Sequence, residues 1–196
     1  MSTMDISELS PQLRTLVDAE IRSGERIIWL DQPIPGRMAR STLPIVLFGI
    51  PWTAFAIFWM AGASGFKRPD FSHGFGFFPL FGVPFVLIGF GMLSSPFWAR
   101  RSSRRSIYVL TDKRAIVIRG TWRGSITVRS FERERLTDLQ RKQNADGSGD
   151  LIFARDVRRD SDGDRYSTDV GFLGIRDVKN VEDMVRSLVK RDEASA

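Results

Sequence analysis

The chain has 196 residues, with 29 Lys and Arg against 23 Asp and Glu, no cysteine and a single histidine, His73. That length suits one or two compact units, and the net charge of +6 points to an anionic partner. The lack of cysteine excludes a disulfide, a thiolate metal site and a cysteine nucleophile, and it leaves any histidine-based triad or metal centre dependent on His73 alone.

Residues 1–41 hold five basic and six acidic residues. They lack an apolar core followed by a small-residue cleavage site, so no secretory signal peptide is read there. The stretch SPQLRTLVDAEIRSGE, 10–25, predicts a helix. Ser10 stands at the N-cap, Pro11 at the first helical position and Gly24 at C′. Leu13, Leu16, Val17 and Ile21 fall on one face. That stripe is expected to dock on the C-terminal domain, with the membrane surface or a partner as alternatives. Glu25–Leu30 predicts a short strand, ended by Gln32-Pro-Ile-Pro-Gly36.

Two uncharged runs follow: LPIVLFGIPWTAFAIFWM at 43–60 and GFGFFPLFGVPFVLIGFGMLSSPFWA at 74–99. A helix needs about 20 apolar residues to cross a bilayer core. The expectation is a transmembrane helix over 42–61, an external link over 62–73 and a second transmembrane helix over 74–98. Two buried core helices are the alternative. Pro51 and Pro84 are expected to kink the helices, and Trp59 and Trp98 to anchor them at the interface. Gly74, Gly76, Gly89 and Gly91 read as packing positions. Neither run carries an ionisable side chain, which argues against a proton relay or ion pathway. The short link carries Lys67 and Arg68, and the other side carries Arg37, Arg40, Arg100, Arg101, Arg104 and Arg105. Six basic residues against two put both termini in the cytoplasm. Those six arginines are also the expected contacts to anionic headgroups.

Residues 99–191 predict a cytoplasmic domain of short strands: Ser106–Leu110, Ala115–Arg119, Ser125–Phe131, Leu136–Gln143, Leu151–Arg155 and Tyr166–Phe172. Turns fall at Thr111–Arg114, Asn144–Gly149 and Arg158–Asp164. A final helix has Asn180 as its expected N-cap, Glu182 and Asp183 in its first turn, and Val181, Met184, Val185, Leu188 and Val189 on its apolar face. Residues 192–196 are expected to fray. The fold class is therefore membrane-anchored α+β: a transmembrane hairpin plus a small antiparallel barrel or sandwich with a C-terminal helix.

Tyr108-Val-Leu-Thr-Asp-Lys-Arg114, with Gly120 after the next strand, resembles the signature of bacterial pleckstrin-homology-like domains of the DUF304 type. Gly24-Glu-Arg-Ile-Ile-Trp-Leu-Asp-Gln-Pro33 resembles the segment those proteins carry before their first span. The resemblance implies a pleckstrin-homology-like barrel held under the inner leaflet of a bacterial cytoplasmic membrane. In eukaryotic relatives a basic loop between the first two strands binds phosphoinositide. That loop has no residue-by-residue match here, so no lipid site is carried over.

No catalytic, cofactor or metal residue is assigned. Asp160-Ser-Asp-Gly-Asp164 hints at a calcium loop, but its glycine stands at the fourth position and Gly171 at the twelfth, so it reads as a hairpin loop. No Walker A, GxSxG or HExxH pattern occurs. Arg129, Arg133, Arg135, Arg141 and Lys142 form a second basic group, but Glu132, Glu134 and Asp138 lie among them, which reads as a mixed-charge sheet surface. Lipid headgroups are favoured over nucleic acid as the anionic partner, because the densest arginine cluster abuts an apolar run. The expected function is a non-enzymatic scaffold whose domain binds a protein partner or a second copy. An anionic-lipid-responsive module is the alternative, and a cryptic enzyme comes after it.

Overall fold

Ile107–Leu110 and Ala115–Ile118 are unbroken apolar runs without alternation, the pattern of strands covered on both faces. In the computed structural model, which describes residues 5–66, 80–159, 163 and 165–193, they are the centre of a four-stranded sheet. Its strands are β1 (Ile27–Asp31), β2 (Ile107–Thr111), β3 (Arg114–Gly120) and β4 (Ile126–Glu132), antiparallel and in that order. A second antiparallel sheet holds β5 (Gln140–Gln143), β6 (Gly149–Arg159) and β7 (Arg165–Ile175). The chain divides into two compact units, Met1–Arg37 with Arg101–Ala196, and Met38–Arg100.

In the first unit, Trp29, Tyr108, Leu110, Ala115, Val117 and Phe131 point from the first sheet into the main core. There they meet Leu151, Phe153, Val170 and Phe172 of the second sheet. The Phe172 ring is central, with centroids 5.2 Å from Trp29, 5.2 Å from Tyr108 and 4.7 Å from Phe153. The other face of the first sheet, Leu30, Ile107, Val109, Ile116 and Ile118, is covered by Leu9, Leu13 and Val17. The last two belong to helix α1 (Pro11–Glu20). The N-terminal stripe therefore docks on the sheet, and this explains why β2 and β3 are apolar on both sides.

Several boundaries differ from the sequence reading. Ser10 is the N-cap of α1 but makes no side-chain cap hydrogen bond. The helix ends at Glu20, and Gly24 instead takes φ +75° in the following turn. Leu136–Gln143 is not one strand: Arg133–Leu136 is a 3-10 turn that buries Leu136, and β5 starts only at Gln140. The C-terminal helix begins at Val178, so Asn180 lies inside it rather than capping it. Glu182 is accordingly past the first turn, where its carboxylate pairs with Arg141 and Arg186. The helix runs through Glu193, two residues into the expected frayed tail.

The second unit is built from α2 (Pro35–Arg40, shared with the first unit at its start), α3 (Leu43–Ala63), α4 (Val83–Leu93) and α5 (Ser95–Ser103), the last continuing into the first unit. Among the described residues, α3 is the one continuous helix long and apolar enough to cross a membrane. The second apolar run is not one helix: a 3-10 turn at 80–82 leads into α4, and α4 meets α5 at a 44° bend around Ser94. Pro84 and Pro96 sit in first turns of α4 and α5, where a missing N–H costs nothing, so Pro84 does not kink a helix interior. Pro51 lies within α3. Lys67, Arg68, His73, residues 74–79, Asp160–Asp164 except Gly163, and residues 194–196 lie outside the described residues.

α3 and α4 pack antiparallel at small residues. A Cβ on Gly89 would fall 2.1 Å from Thr53 Oγ1, and one on Gly49 would fall 2.9 Å from Met92 Cβ. The Trp52 indole donates to the Phe85 carbonyl at 3.1 Å. Away from this seam the side chains are bare: Leu47, Phe55, Phe58, Phe81 and Leu87 are all exposed. Gly89→Ala is expected to destabilise the helix pair by about 1–3 kcal/mol through overpacking. Thr53→Ala in the same chain should recover part of that loss, both read from thermal unfolding in detergent.

A buried polar knot joins the N-terminal segment to the β2–β3 turn. The Arg114 guanidinium donates to Glu25 Oε1 at 2.9 Å and Oε2 at 3.1 Å, to the Glu20 carbonyl at 2.6 Å and to Ser130 Oγ at 3.0 Å. Thr111 donates to Glu25 Oε1 at 2.7 Å. Burial opposes ionisation of Glu25, but Arg114, the Arg22 N–H and Thr111 outweigh it and hold the carboxyl down at about 2. Because this lies below the ordinary 4.5, the stabilisation is present above that value and is lost as pH falls towards 2. Glu25→Gln or Arg114→Met alone is expected to cost about 3–5 kcal/mol, since each strands a buried partner. The double variant should cost less than the two summed, measured by urea unfolding.

Candidate functional site

The apolar unit is inserted between two strands that are neighbours in the sheet. β1 ends at Asp31 opposite Tyr108 of β2, so the chain leaves and returns at the same end. Gln32 spans the junction: its carboxamide donates to the carbonyls of Arg104 at 3.2 Å and Ser106 at 3.3 Å. The antiparallel register brings the end of β3 and the start of β4 to this same end, with Gly120 opposite Ile126.

The β3 end is fastened to the returning chain. Ser102 Oγ donates to the Gly120 carbonyl at 2.6 Å, and the Gly120 N–H donates to Ser106 Oγ at 3.3 Å. A Cβ at Gly120 would fall 2.5 Å from the Arg105 carbonyl oxygen, so only glycine permits this approach. Beyond it the turn Thr121–Ser125 closes through the Thr121 N–H to the Ser125 carbonyl at 2.8 Å, with Gly124 at φ +98°. Its tip carries Trp122, with the Arg123 guanidinium 4.7 Å from the ring centroid.

Asp31 closes the other side of this end. Its side chain is buried, and Oδ1 accepts from the Gln32 N–H at 2.8 Å and from Arg176 at 2.9 Å. Burial pushes its carboxyl up, and the Gln32 N–H and Arg176 only partly offset this.

The sequence-predicted arginines lie on α2, on α5 and just beyond α5. Arg37, on α2, donates to Ser148 Oγ at 2.6 Å, and Arg40 is the exposed last residue of α2. Arg100 and Arg101 are exposed on α5 rather than in a flanking loop, Arg104 is exposed just beyond it, and Arg105 is half-buried. Trp59 lines an apolar cavity of about 260 Å³ with Trp52, Phe55, Ala56, Phe81, Gly82 and Phe85. The exposed Trp98 donates to Ser94 Oγ at 3.1 Å. Sequence reasoning missed the Trp122–Arg123 tip and the two buried carboxylate–arginine pairs. Only the Trp-Arg-Gly-Ser string between two strands signalled the tip.

The second basic group is mostly paired: Arg129 with Asp156, Arg141 with Glu182 at 3.0 Å, and Lys142 with Asp169 at 2.7 Å. Lys142, joined by Arg155, holds the Asp169 carboxyl below its usual range. A shallow concavity of about 550 Å³ lies at Asp138–Arg141 and Ile152–Arg155. Among the described residues no three His, Cys, Asp or Glu side chains converge to hold a metal. Compared with family models, curated proteins and solved structures, the chain matches none.

The raised pKa of Asp31 means its contribution to stability is fullest in acid and falls as pH rises through the folded value. Asp31→Asn removes that cost. The melting temperature of the variant minus that of the wild type is therefore expected to increase from about pH 4 to about pH 7.

Proposed function

We propose that the chain is a membrane-anchored, non-enzymatic protein. In this reading the apolar unit is a two-crossing hairpin, and the two-sheet domain is a pleckstrin-homology-like scaffold on the cytoplasmic side of a bacterial inner membrane. The observation that carries the proposal is the β1–β2 pairing on either side of the apolar insertion. A segment that leaves and returns at one end of one sheet crosses a bilayer an even number of times. If α3 crosses, the chain must cross back before Ile107, and the bent pair α4–α5 with the residues before it is the apolar stretch available.

The antiparallel packing of α3 on α4 through Gly49, Thr53 and Gly89 supports the hairpin, because close approach at small residues is how helices associate in lipid. The bare Leu and Phe side chains on the outer surfaces fit hydrocarbon better than water. The greater number of arginines beside the insertion supports cytoplasmic termini. The resemblance implies a barrel with a C-terminal helix, and the two antiparallel sheets followed by a C-terminal helix are compatible with it.

The scaffolding role draws on the second sheet. β5 pairs only with Gly149–Ile152, and among the described residues no strand pairs with the same edge of β6 beyond Ile152. Such an edge accepts an extended peptide by strand addition. A lipid-responsive module is the second reading, favoured by the arginines where the insertion joins the domain.

Because the native chain has no cysteine, single cysteines report topology directly. A membrane-impermeant maleimide applied to intact cells is expected to label Phe66→Cys, just after α3, and to spare Lys113→Cys in the β2–β3 turn. Equal labelling of the two would sink the two-crossing reading.

A further inference from the structure

We propose that the β3–β4 turn is a second membrane contact: Trp122 seats in the headgroup layer of an anionic bilayer, with Arg123 and Arg105 at lipid phosphates. This rests on the membrane-anchored reading above and adds to it a site where the folded domain itself meets lipid.

Composition comes first. Residues 121–127 are all exposed, and they include Trp122 at 44 % and Ile126 at 44 % relative exposure. An exposed indole on a turn is costly in water, but it suits a membrane interface, where its apolar body and N–H meet different surroundings. Arg123 lies over the Trp122 ring, so the cation and the aromatic surface are presented together. The Arg105 guanidinium reaches the same turn, with Nη1 3.5 Å from where a Gly124 Cβ would stand.

Position comes second. The turn is fixed to the chain segment that emerges from the second apolar run. Ser102, Arg105 and Ser106 all grip Gly120, through two hydrogen bonds and one close backbone contact. Ser102 is four residues after Trp98, a reach of about 14 Å even for a fully extended chain. Wherever Trp98 meets the bilayer surface, Ser102 therefore lies within about 14 Å of it along the chain. Lys113 lies at the opposite end of the sheet, in the β2–β3 turn.

Charge decides the lipid. Arg123 and Arg105 both reach the tip, Arg104 and Arg101 adjoin Arg105 in the chain, and no acidic residue occurs between Arg100 and Leu110 or between Arg114 and Phe131. An anionic surface is therefore favoured over a zwitterionic one.

The test uses the full chain in nanodiscs of phosphatidylglycerol with phosphatidylethanolamine, and in nanodiscs of phosphatidylcholine. Nitroxide labels are placed singly at Ser125→Cys, at Lys113→Cys and, on the outer surface of α3, at Phe58→Cys. In the anionic discs the Ser125 label is expected to be more accessible to oxygen than to a water-soluble nickel reagent, while the Lys113 label remains aqueous. Trp122→Ala should abolish the difference. Arg123→Gln should raise the unseated fraction about fivefold, the effect of one basic residue at an anionic surface. A Ser125 label as aqueous as Lys113, with Phe58 in hydrocarbon, overturns this site and leaves the anchor standing. An aqueous Phe58 label overturns the anchor and the site with it. Equal seating in phosphatidylcholine overturns the anionic requirement.

Discussion

The pairing of β1 with β2 is the constraint on which the rest of the molecule depends. Residues 32–106 separate the two strands in the chain, yet Asp31 lies opposite Tyr108 and Leu30 opposite Val109. The four-stranded sheet therefore cannot be completed by either flank of the insertion alone. Everything built on that sheet inherits the requirement. α1 covers a surface made jointly by Leu30 of one flank and Ile107, Val109, Ile116 and Ile118 of the other. The main core likewise takes Trp29 from before the insertion and Tyr108 and Phe172 from after it.

β1 is held at both ends by a carboxylate and an arginine distant in sequence, and the two pairs differ in kind. At Glu25 both oxygens are satisfied, with Arg114 forming a two-pronged contact and Thr111 and the Arg22 N–H adding to it. At Asp31 one oxygen takes the contacts from Gln32 and Arg176, and burial is the larger influence. One end of the strand is therefore strengthened by ionisation, and the other bears a charge that its surroundings only partly support. Both pairs fix register, because a shift of the edge strand by one residue would break them together with the inward and outward alternation of Trp29 and Leu30.

Much of this was legible in the sequence, and particular residues explain why. The runs Tyr108–Leu110 and Ala115–Ile118, set around a polar turn, specify a buried hairpin by composition alone. The stripe of Leu13 and Val17 specified a docked helix. The run at 43–60 was long enough to fix α3 almost to the residue. Errors arose where local pattern is weak. Leu136 is apolar because it plugs the core from a 3-10 turn, which period-two reading takes for a strand. Val178 opens the last helix through long-range contacts, including its N–H to the Gly147 carbonyl at 3.1 Å, that no capping residue announces. The bend at Ser94 follows from Pro96 opening a new helix, yet composition alone runs smoothly through it. The buried carboxylate–arginine pairs were illegible because both join segments on opposite sides of the insertion. Exposed tips such as Trp122 carry no periodicity to betray them.

The interrupted sheet also orders the protein's birth. Ile27–Asp31 leaves the ribosome well before Ile107, and it has no strand to pair with until the whole apolar insert has been made. Closing a loop of that length costs roughly 4 kcal/mol in chain entropy if the insert stays unstructured, and far less once α3 and α4 have packed and drawn its ends together. Packing of α3 on α4 thus lowers the cost of pairing β1 with β2, by shortening the loop that remains to be closed. A chain whose insert fails to pack should leave an unpaired, apolar first strand exposed to the quality-control proteases of the cell.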